Sequence, residues 1–182
     1  EAWQHHPGAI GYSFPYIELR LVDPQGNPID EAGHSGSIEV RGPGVAACYW
    51  GDEPRHPDEW FSTSDIGVFD SDMCLHILGR ASRVINTGGE LVSPIRVEEA
   101  LRTLESVADC CLLGLKNEIW GQIVAAALIP ASDQRPSLRE LRQELNEALA
   151  PWQHPRSIVW VDVLPQTTTG KVDISQVSRL FE

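Results

Sequence analysis

The residues best suited to chemistry lie near the C-terminus, in a loop rich in threonine that ends in glycine and lysine. The chain has only two lysines, and one of them, Lys171, follows Gly170 and the threonines at 167–169. Threonine hydroxyls, a flexible glycine and a compact ammonium group can together bind an anion. A Walker A phosphate loop is excluded, because it needs glycine where Pro165 stands and serine or threonine where Val172 stands. Taken alone, the pattern is more typical of a solvated surface lysine.

The composition is that of an acidic globular chain. Its 182 residues carry 14 lysines and arginines against 26 acidic residues, a formal net charge of −12. Such a charge disfavours nucleic acid and anionic membrane surfaces, so we expect no nucleic-acid partner. No apolar run approaches the roughly 20 residues of a membrane span, and the start does not resemble a signal peptide. We therefore expect no membrane span and a cytoplasmic location.

The cysteines and histidines show no metal-binding pattern. Cysteines occur at positions 48, 74, 110 and 111, and no pair has the spacing of metal ligands. The six histidines form no His-x-x-x-His pattern. We expect free, buried thiols in a reducing compartment and no metal site.

The first part of the chain alternates apolar and polar residues, as half-buried strands do. The pattern predicts strands at residues 17–22 and 36–42, separated by tight turns. Trp50, Trp60 and Phe61 follow, and we expect them to be packing residues, not a binding platform. This part is therefore predicted to be β-rich.

Residues 83–182 mix helical and strand patterns. Apolar runs predict strands at 107–115, 123–130 and 157–163. Capping residues predict helices that begin after Ser93, Ser137 and Asp173. Roughly 100 residues of this kind form about one small domain, so the whole chain is predicted to have an α+β fold.

Six segments carry short motifs that occur together, in this order, in one known family. They are Gly8–Asp23, Ser37–Trp50, Trp60–Asp65, Leu75–Arg80, Val84–Pro94 and Leu164–Asp173. Together they resemble the signatures of the adenylate-forming superfamily, which includes acyl-CoA synthetases, luciferases and peptide-synthetase adenylation domains. Each motif is weak, but their order and spacing make the resemblance specific. It covers nearly all of this chain and about the last third of a usual family member.

The resemblance implies a division into two parts. Residues 1–81 would be the β-rich, barrel-like subdomain that ends the large N-terminal adenylation domain. Residues 82–182 would be the small α+β C-terminal lid domain. The family's phosphate loop and acyl pocket are absent from these 182 residues. The expected partner is therefore the rest of the N-terminal adenylation domain, without which we expect this part to be inactive.

The resemblance also implies a nucleotide site. Lys171 would be the catalytic residue during formation of the acyl-adenylate. Asp65 would accept hydrogen bonds from the ribose hydroxyls of ATP or AMP, and Arg80 would contact ribose or phosphate. From the residues alone, Asp65 fits an Asx turn equally well, and Arg80 could pair with any carboxylate.

The resemblance assigns conformational roles as well. Ser82 would be the hinge, where serine also occurs in o-succinylbenzoate–CoA ligase-like members. Gly88 and Gly89 would line the tunnel for the pantetheine arm of CoA, although a purely structural turn explains paired glycines too.

Three positions depart from the family pattern. Ser64 and Cys48 stand where glycine is usual, and Arg83 stands where an acidic residue is often found. If the family's glycine at the first position has positive φ, Ser64 strains its loop and weakens nucleotide binding.

The activity that the resemblance implies is an AMP-forming acid–thiol ligase. It would use ATP, Mg²⁺ and CoA to convert a carboxylic acid into an acyl-adenylate and then a thioester. One alternative is the adenylation domain of a peptide or polyketide synthetase, in which the thiol is carrier-protein pantetheine. A second is a non-catalytic module that retains the lid fold. Aryl, fatty, amino and dicarboxylic acids all remain open as substrates.

Overall fold

A computed structural model describes residue 6 and residues 8–48, 50–51, 53–56 and 58–182. The chain divides into two compact units, Glu1–Ser82 and Arg83–Glu182. Each unit has its own hydrophobic core and is described by itself.

The first unit is an antiparallel sheet. Its strands are β1 (Glu18–Val22), β2 (Pro28–Ile29), β3 (Ser35–Arg41), β4 (Phe61–Phe69) and β5 (Leu75–Arg80). They pair in the order β2-β1-β3-β4-β5. The buried residues Leu21, Ile38 and Leu75 form the centre of its core. The strands predicted at 17–22 and 36–42 are confirmed as β1 and β3, each to within one residue at either end.

The prediction for the aromatic residues is wrong for Trp50. Its side chain is fully exposed, because it lies in a turn outside the sheet. Trp60 is half-buried, and the guanidinium groups of Arg20 and Arg41 stack on its ring at 4.2 and 4.5 Å from the centroid. Trp60 thus packs against two cations.

The second unit is an α+β sandwich around one mixed sheet. Its strands are β6 (Ile85–Thr87), β7 (Glu90–Val92), β8 (Val107–Asn117), β9 (Gly121–Pro130) and β10 (Ser157–Trp160). Its helices are α1 (Pro94–Arg102), α2 (Leu138–Leu145) and α3 (Ile174–Arg179), with a 3-10 turn at Pro151–Gln153. β9 pairs antiparallel with β6 and β8 and parallel with β10.

The sheet of the second unit is buried on both faces. Along β8, Cys110 and Leu112 pack in one core cluster, and Cys111 and Leu113 pack in the other. The first cluster takes its helical residues from α1 and α2, and the second takes Val177 from α3. Alternate side chains of a strand point to opposite faces, so a doubly covered strand reads as a continuous apolar run. The α+β prediction is confirmed.

Local signals placed the helix starts correctly. The Ser93 hydroxyl accepts from the Arg96 N–H, and Ser137 forms the expected capping box with Glu140. Asp173 caps α3. β10, however, ends at Trp160, three residues before the predicted end, because its pairing with β9 stops at Leu128.

Cys74, Cys110 and Cys111 are buried free thiols, as expected, but Cys48 is exposed, which corrects the prediction for that residue. Burial raises the pKa of Cys110 to about 12 and that of Cys111 to about 11, so both thiols stay protonated and unreactive. None of the described helices has the length and apolar character needed to cross a membrane.

Candidate functional site

Lys171 lies on a tight hairpin between β10 and α3. The Thr167 N–H donates to the Lys171 carbonyl (2.7 Å), and the Gly170 N–H donates to the Thr167 carbonyl (2.9 Å). Gln166 and Val172 pair across its base. Gly170 has φ +80°, a left-handed conformation that glycine adopts without a steric penalty. These contacts fix the backbone of the loop, and Lys171 comes directly after the turn.

The ammonium of Lys171 is available to a ligand. The residue is exposed, and within the described part of the chain its ammonium has no ion-pair partner. The closest acid in sequence, Asp173, is engaged at the start of α3 by the N–H groups of Ser175 and Gln176. The hydroxyls of Thr167 and Thr169 lie 3.0 Å apart beside the lysine in the loop. A free cation with flanking hydroxyls is suited to a phosphate or carboxylate.

Asp65 and Arg80 are brought together by the first unit. They face each other across β4 and β5, with Arg80 Nε 3.3 Å from Asp65 Oδ1. Arg80 also donates to the Thr63 carbonyl at 2.8 Å. Its side chain is nevertheless 63% exposed, whereas that of Asp65 is 26% exposed. The pair presents a carboxylate that can accept from hydroxyls next to a guanidinium that can bind phosphate.

The backbone next to Asp65 is strained. Ser64 has φ +63°, which costs a residue with a Cβ about 1–2 kcal/mol. The Ser64 carbonyl accepts from the Ala81 N–H at 2.9 Å, which ties this point of β4 to the end of β5. Asp65 itself lies in a strand and not in an Asx turn, while the Thr63 hydroxyl accepts from the Asp65 N–H (3.2 Å).

The two compact units meet in sequence after Ser82. Ser82 is exposed. The next residue, Arg83, is fixed to the second unit, because its guanidinium lies 3.4 Å from Glu98 Oε1 and donates to the Leu112 carbonyl. Arg83 thus pairs with an acid inside the second unit.

Gly88 and Gly89 form the tip of the β6–β7 hairpin, with φ +65° and +94°. The Gly88 N–H donates to the Trp120 carbonyl at 2.9 Å, and a Cβ at Gly88 would lie 2.6 Å from the Trp120 ring. Gly89 has open space around it, and its N–H donates to Asn86 Oδ1. Glycine is therefore required at position 88 because a side chain there would clash with Trp120. Glycine is favoured at both positions because both have positive φ.

Trp120 is a residue that sequence reasoning gave no role. Its ring packs on Gly88 and carries the guanidinium of Arg156 at 4.2 Å from its centroid. The three residues are far apart in sequence, and only the pairing of β6, β9 and β10 brings them to one place. The sequence offered one signal, the segment Glu118–Gly121, which resembles a Glu-x-Trp-Gly motif often found in the adenylate-forming superfamily.

Comparisons with known proteins find similar CoA ligases. Residues 96–171 match the model of the AMP-binding enzyme C-terminal domain. Indoleacetate–CoA ligase of Aromatoleum aromaticum is 32% identical over 97% of this chain and 35% of its own length. Feruloyl-CoA synthase of an Amycolatopsis species is 33% identical over 96% of this chain and 36% of its own length. The chain thus spans about a third of the length of the curated relatives it matches.

Solved structures give the same result. An o-succinylbenzoate CoA synthetase from Bacillus subtilis, in complex with its acyl-adenylate intermediate, matches with a TM-score of 0.79 and 27% identity. An amide bond synthetase from Marinactinospora thermotolerans matches with a TM-score of 0.76 and 29% identity. These matches cover 96% of this chain and 36–37% of the other chains. Residues 96–171, within the second unit, are thus an AMP-binding enzyme C-terminal domain, and the chain resembles adenylate-forming enzymes over 96% of its length.

Proposed function

We propose that the complete protein is an AMP-forming acid–thiol ligase that makes an acyl-adenylate from a carboxylic acid and ATP, and then a thioester with CoA. The observation that carries the proposal is the Lys171 ammonium, which has no ion-pair partner among the described residues and lies on a fixed hairpin in an AMP-binding enzyme C-terminal domain. The CoA ligases among the curated relatives support CoA as the thiol. The three buried free thiols support a reducing, cytoplasmic location.

Lys171 would act during adenylation. The carboxylate attacks the α-phosphorus and pyrophosphate leaves, so negative charge builds on oxygens of the reacting groups. An ammonium about 4 Å from such a charge is worth about 4 kcal/mol at an effective dielectric constant of about 20. Bound ATP feels part of that attraction already, and only the part gained in the transition state speeds the reaction.

Asp65 and Arg80 would hold the nucleotide. The Asp65 carboxylate can accept hydrogen bonds from two ribose hydroxyls. The exposed guanidinium of Arg80 can donate to a phosphate while it keeps its hydrogen bond to the Thr63 carbonyl. ATP is expected to bring Mg²⁺, which would neutralise phosphate charge. Asp65 is already engaged by Arg80, so we assign no residue of this chain to the metal ion.

A change of domain orientation would separate the two half-reactions. Rotation about Ser82 would withdraw Lys171 after adenylation and bring the Gly88-Gly89 hairpin to the thiol. The unit boundary after Ser82 supports this position for the hinge. Trp120 and Asn86 hold the hairpin by its backbone, which supports a preformed loop that leaves room for a narrow pantetheine chain.

Two alternatives remain. Carrier-protein pantetheine could replace CoA without any change in the roles of Lys171 and Asp65. A non-catalytic module is favoured by Ser64, whose positive φ puts strain next to the carboxylate meant for ribose.

An ATP–pyrophosphate exchange screen of the full-length protein tests the proposal. Aryl, fatty, amino and dicarboxylic acids are supplied one at a time, with a reaction lacking acid as the control. We expect acid-dependent exchange with at least one class, and thioester on addition of CoA. No exchange with any acid would support the non-catalytic module. Exchange without transfer to CoA, but with transfer to carrier-protein pantetheine, would support the synthetase domain.

A further inference from the structure

The turn between β4 and β5 gathers side chains that the proposed function does not use. Asp70, Cys74 and His76 come from this turn and from β5, and His6 joins them from a point 64 residues away in sequence. His6 Nδ1 lies 2.9 Å and His76 Nε2 lies 3.0 Å from the same oxygen, Asp70 Oδ2. Two imidazole nitrogens thus contact one carboxylate oxygen, and the Cys74 thiol lies in the same turn.

The Asp70 carboxylate is held in position by the turn. Its other oxygen, Oδ1, accepts from the N–H groups of Asp72 (3.0 Å) and Cys74 (2.9 Å). The Met73 N–H also donates to the Asp70 carbonyl, and the Asp70 N–H to the Cys74 carbonyl. Oδ2 is left to face the two imidazoles, so the turn fixes the carboxylate whether or not anything is bound.

The spacing of these atoms is close to that of a metal site. Ligand atoms of His6, Asp70 and Cys74 all lie within 4.8 Å of one another. Tetrahedral Zn²⁺, with bonds of about 2.0–2.3 Å, holds its ligand atoms about 3.3–3.8 Å apart. For His6, Asp70 and Cys74, the nitrogen–oxygen contact would widen by a few tenths of an ångström and the widest gap would close by about 1 Å. His76 lies outside that group and contacts Asp70, so its imidazole would turn further to become the fourth ligand.

We propose that His6, Asp70, Cys74 and His76 form a structural Zn²⁺ site. Binding deprotonates the Cys74 thiol and releases that proton to solvent, while each imidazole stays neutral and coordinates through the nitrogen that now faces Asp70. One carboxylate and one thiolate balance the two charges of the ion. Four protein ligands of nitrogen, oxygen and sulfur complete a closed tetrahedral site.

One further side chain is placed to orient a ligand. The second ring nitrogen of His6 lies 3.8 Å from an Asp72 carboxylate oxygen. Such a contact fixes the orientation of the imidazole. Without a metal ion the same atoms form only a hydrogen-bonded clamp, in which both imidazoles donate to Asp70.

Metal titration of the protein distinguishes a Zn²⁺ site from a metal-free hydrogen-bonded cluster. The metal-stripped protein is titrated with Co²⁺ and then with Zn²⁺ against a chromophoric chelator. We expect one equivalent of each to bind, a thiolate-to-cobalt absorption band with Co²⁺, and displacement of Co²⁺ by Zn²⁺. Failure to bind one equivalent, or a cobalt spectrum without a thiolate band, would overturn the proposal.

Variants assign the ligands. We expect Asp70→Asn and Cys74→Ser each to weaken Zn²⁺ binding by at least about 100-fold, since removal even of outer contacts costs about 10–100-fold. Cys48→Ser and His34→Gln remove an exposed cysteine and an exposed histidine and should leave binding unchanged. Circular dichroism without metal checks folding. If Asp70→Asn does not fold, the nearly isosteric Cys74→Ser decides, and unchanged affinity in it contradicts the site.

Discussion

Lys171 carries a positive charge that has no ion-pair partner among the described residues, in a chain with a net charge of −12. Asp173, two residues away, is engaged by the cap of α3. The acid that could neutralise the lysine is therefore occupied. Arginine would be a poor replacement at position 171, because its planar fork does not concentrate charge as an ammonium does.

The contacts of single residues could be predicted only where they are local. The Ser93, Ser137 and Asp173 caps were predictable because each binds backbone within three residues. Asp65 and Arg80 were found as separate motifs, but their pairing depends on the register of β4 and β5. The contact of Gly88 with Trp120 depends on tertiary structure and left no local signal.

Ser64 provides a test at the scale of one residue. Ser64→Gly should raise the free energy of unfolding by about 0.5–1 kcal/mol. The relief of about 1–2 kcal/mol of left-handed strain is larger than the entropy cost of a glycine, about 0.5–1 kcal/mol. Urea denaturation measures this change in unfolding free energy, provided that the m value is the same in both proteins. Ser62→Gly, in the same strand but without positive φ, is the control and should destabilise. A loss of stability in Ser64→Gly would show that the serine is not strained.

Among the elements, the lysine hairpin and α3 form one continuous structural unit. Leu164 before the hairpin and Val177 in α3 are both buried in the same core cluster. The Asp173 N–H donates to the Pro165 carbonyl at 2.8 Å, which closes the base of the loop. The position of Lys171 therefore depends on the docking of α3.

The Asp173 cap makes the stability of the lysine hairpin and α3 sensitive to acid. A hydrogen bond from the Gln176 side chain, followed by one from its backbone N–H, lowers the pKa of Asp173 below its usual 3.8. A carboxylate with a lowered folded-state pKa stabilises the protein fully above about pH 4 and loses that contribution as the pH falls through the folded-state value. Asp173→Asn should therefore be less stable than the wild type at neutral pH.

Chemical denaturation of both proteins across acidic pH measures the effect. The difference in unfolding free energy between the wild type and Asp173→Asn should shrink steadily below pH 4 and disappear once Asp173 is protonated. Asp162→Asn, which changes an exposed acid of the preceding loop, is the matched control. A difference that stays constant with pH would contradict an ionised cap.

Element types were predictable from periodicity, whereas some bounds and pairings were not. The apolar runs of β8 and β9 were recognised because both faces are buried. β4 was seen only as a motif, since Phe61–Phe69 mixes half-buried and exposed residues and contains Ser64 with positive φ. The parallel pairing of β10 with β9 joins distant segments and could not be predicted from either alone.

At the scale of the whole molecule, the fold class followed from the order of strand and helix patterns, while the grouping of His6 with Asp70 needed three dimensions. The second unit buries two core clusters made entirely of residues after 83. The first unit has a smaller buried cluster. Each unit thus carries its own core, and the second has the larger one.

The second unit should consequently fold without the first. Residues 83–182 expressed alone should give dispersed amide resonances and one cooperative thermal transition, because no core residue is lost. Amides of β8 and β9 should exchange slowest with solvent, as these strands share the longest pairing in the unit. An unfolded spectrum would mean that the unit depends on contacts with the rest of the protein.

The most direct test of the central claim measures the two half-reactions separately in full-length Lys171→Ala. Lys116→Ala removes the chain's other lysine, an exposed one on β8, and serves as the matched control. Removal of Lys171 should slow acyl-adenylate formation by at least about 100-fold, the scale seen when one preorganised stabilising group is lost. Thioester formation from supplied acyl-adenylate should stay within about threefold of wild type, and Lys116→Ala should match wild type in both steps. Equal losses in the two half-reactions, or undiminished adenylation, would contradict the role assigned to Lys171.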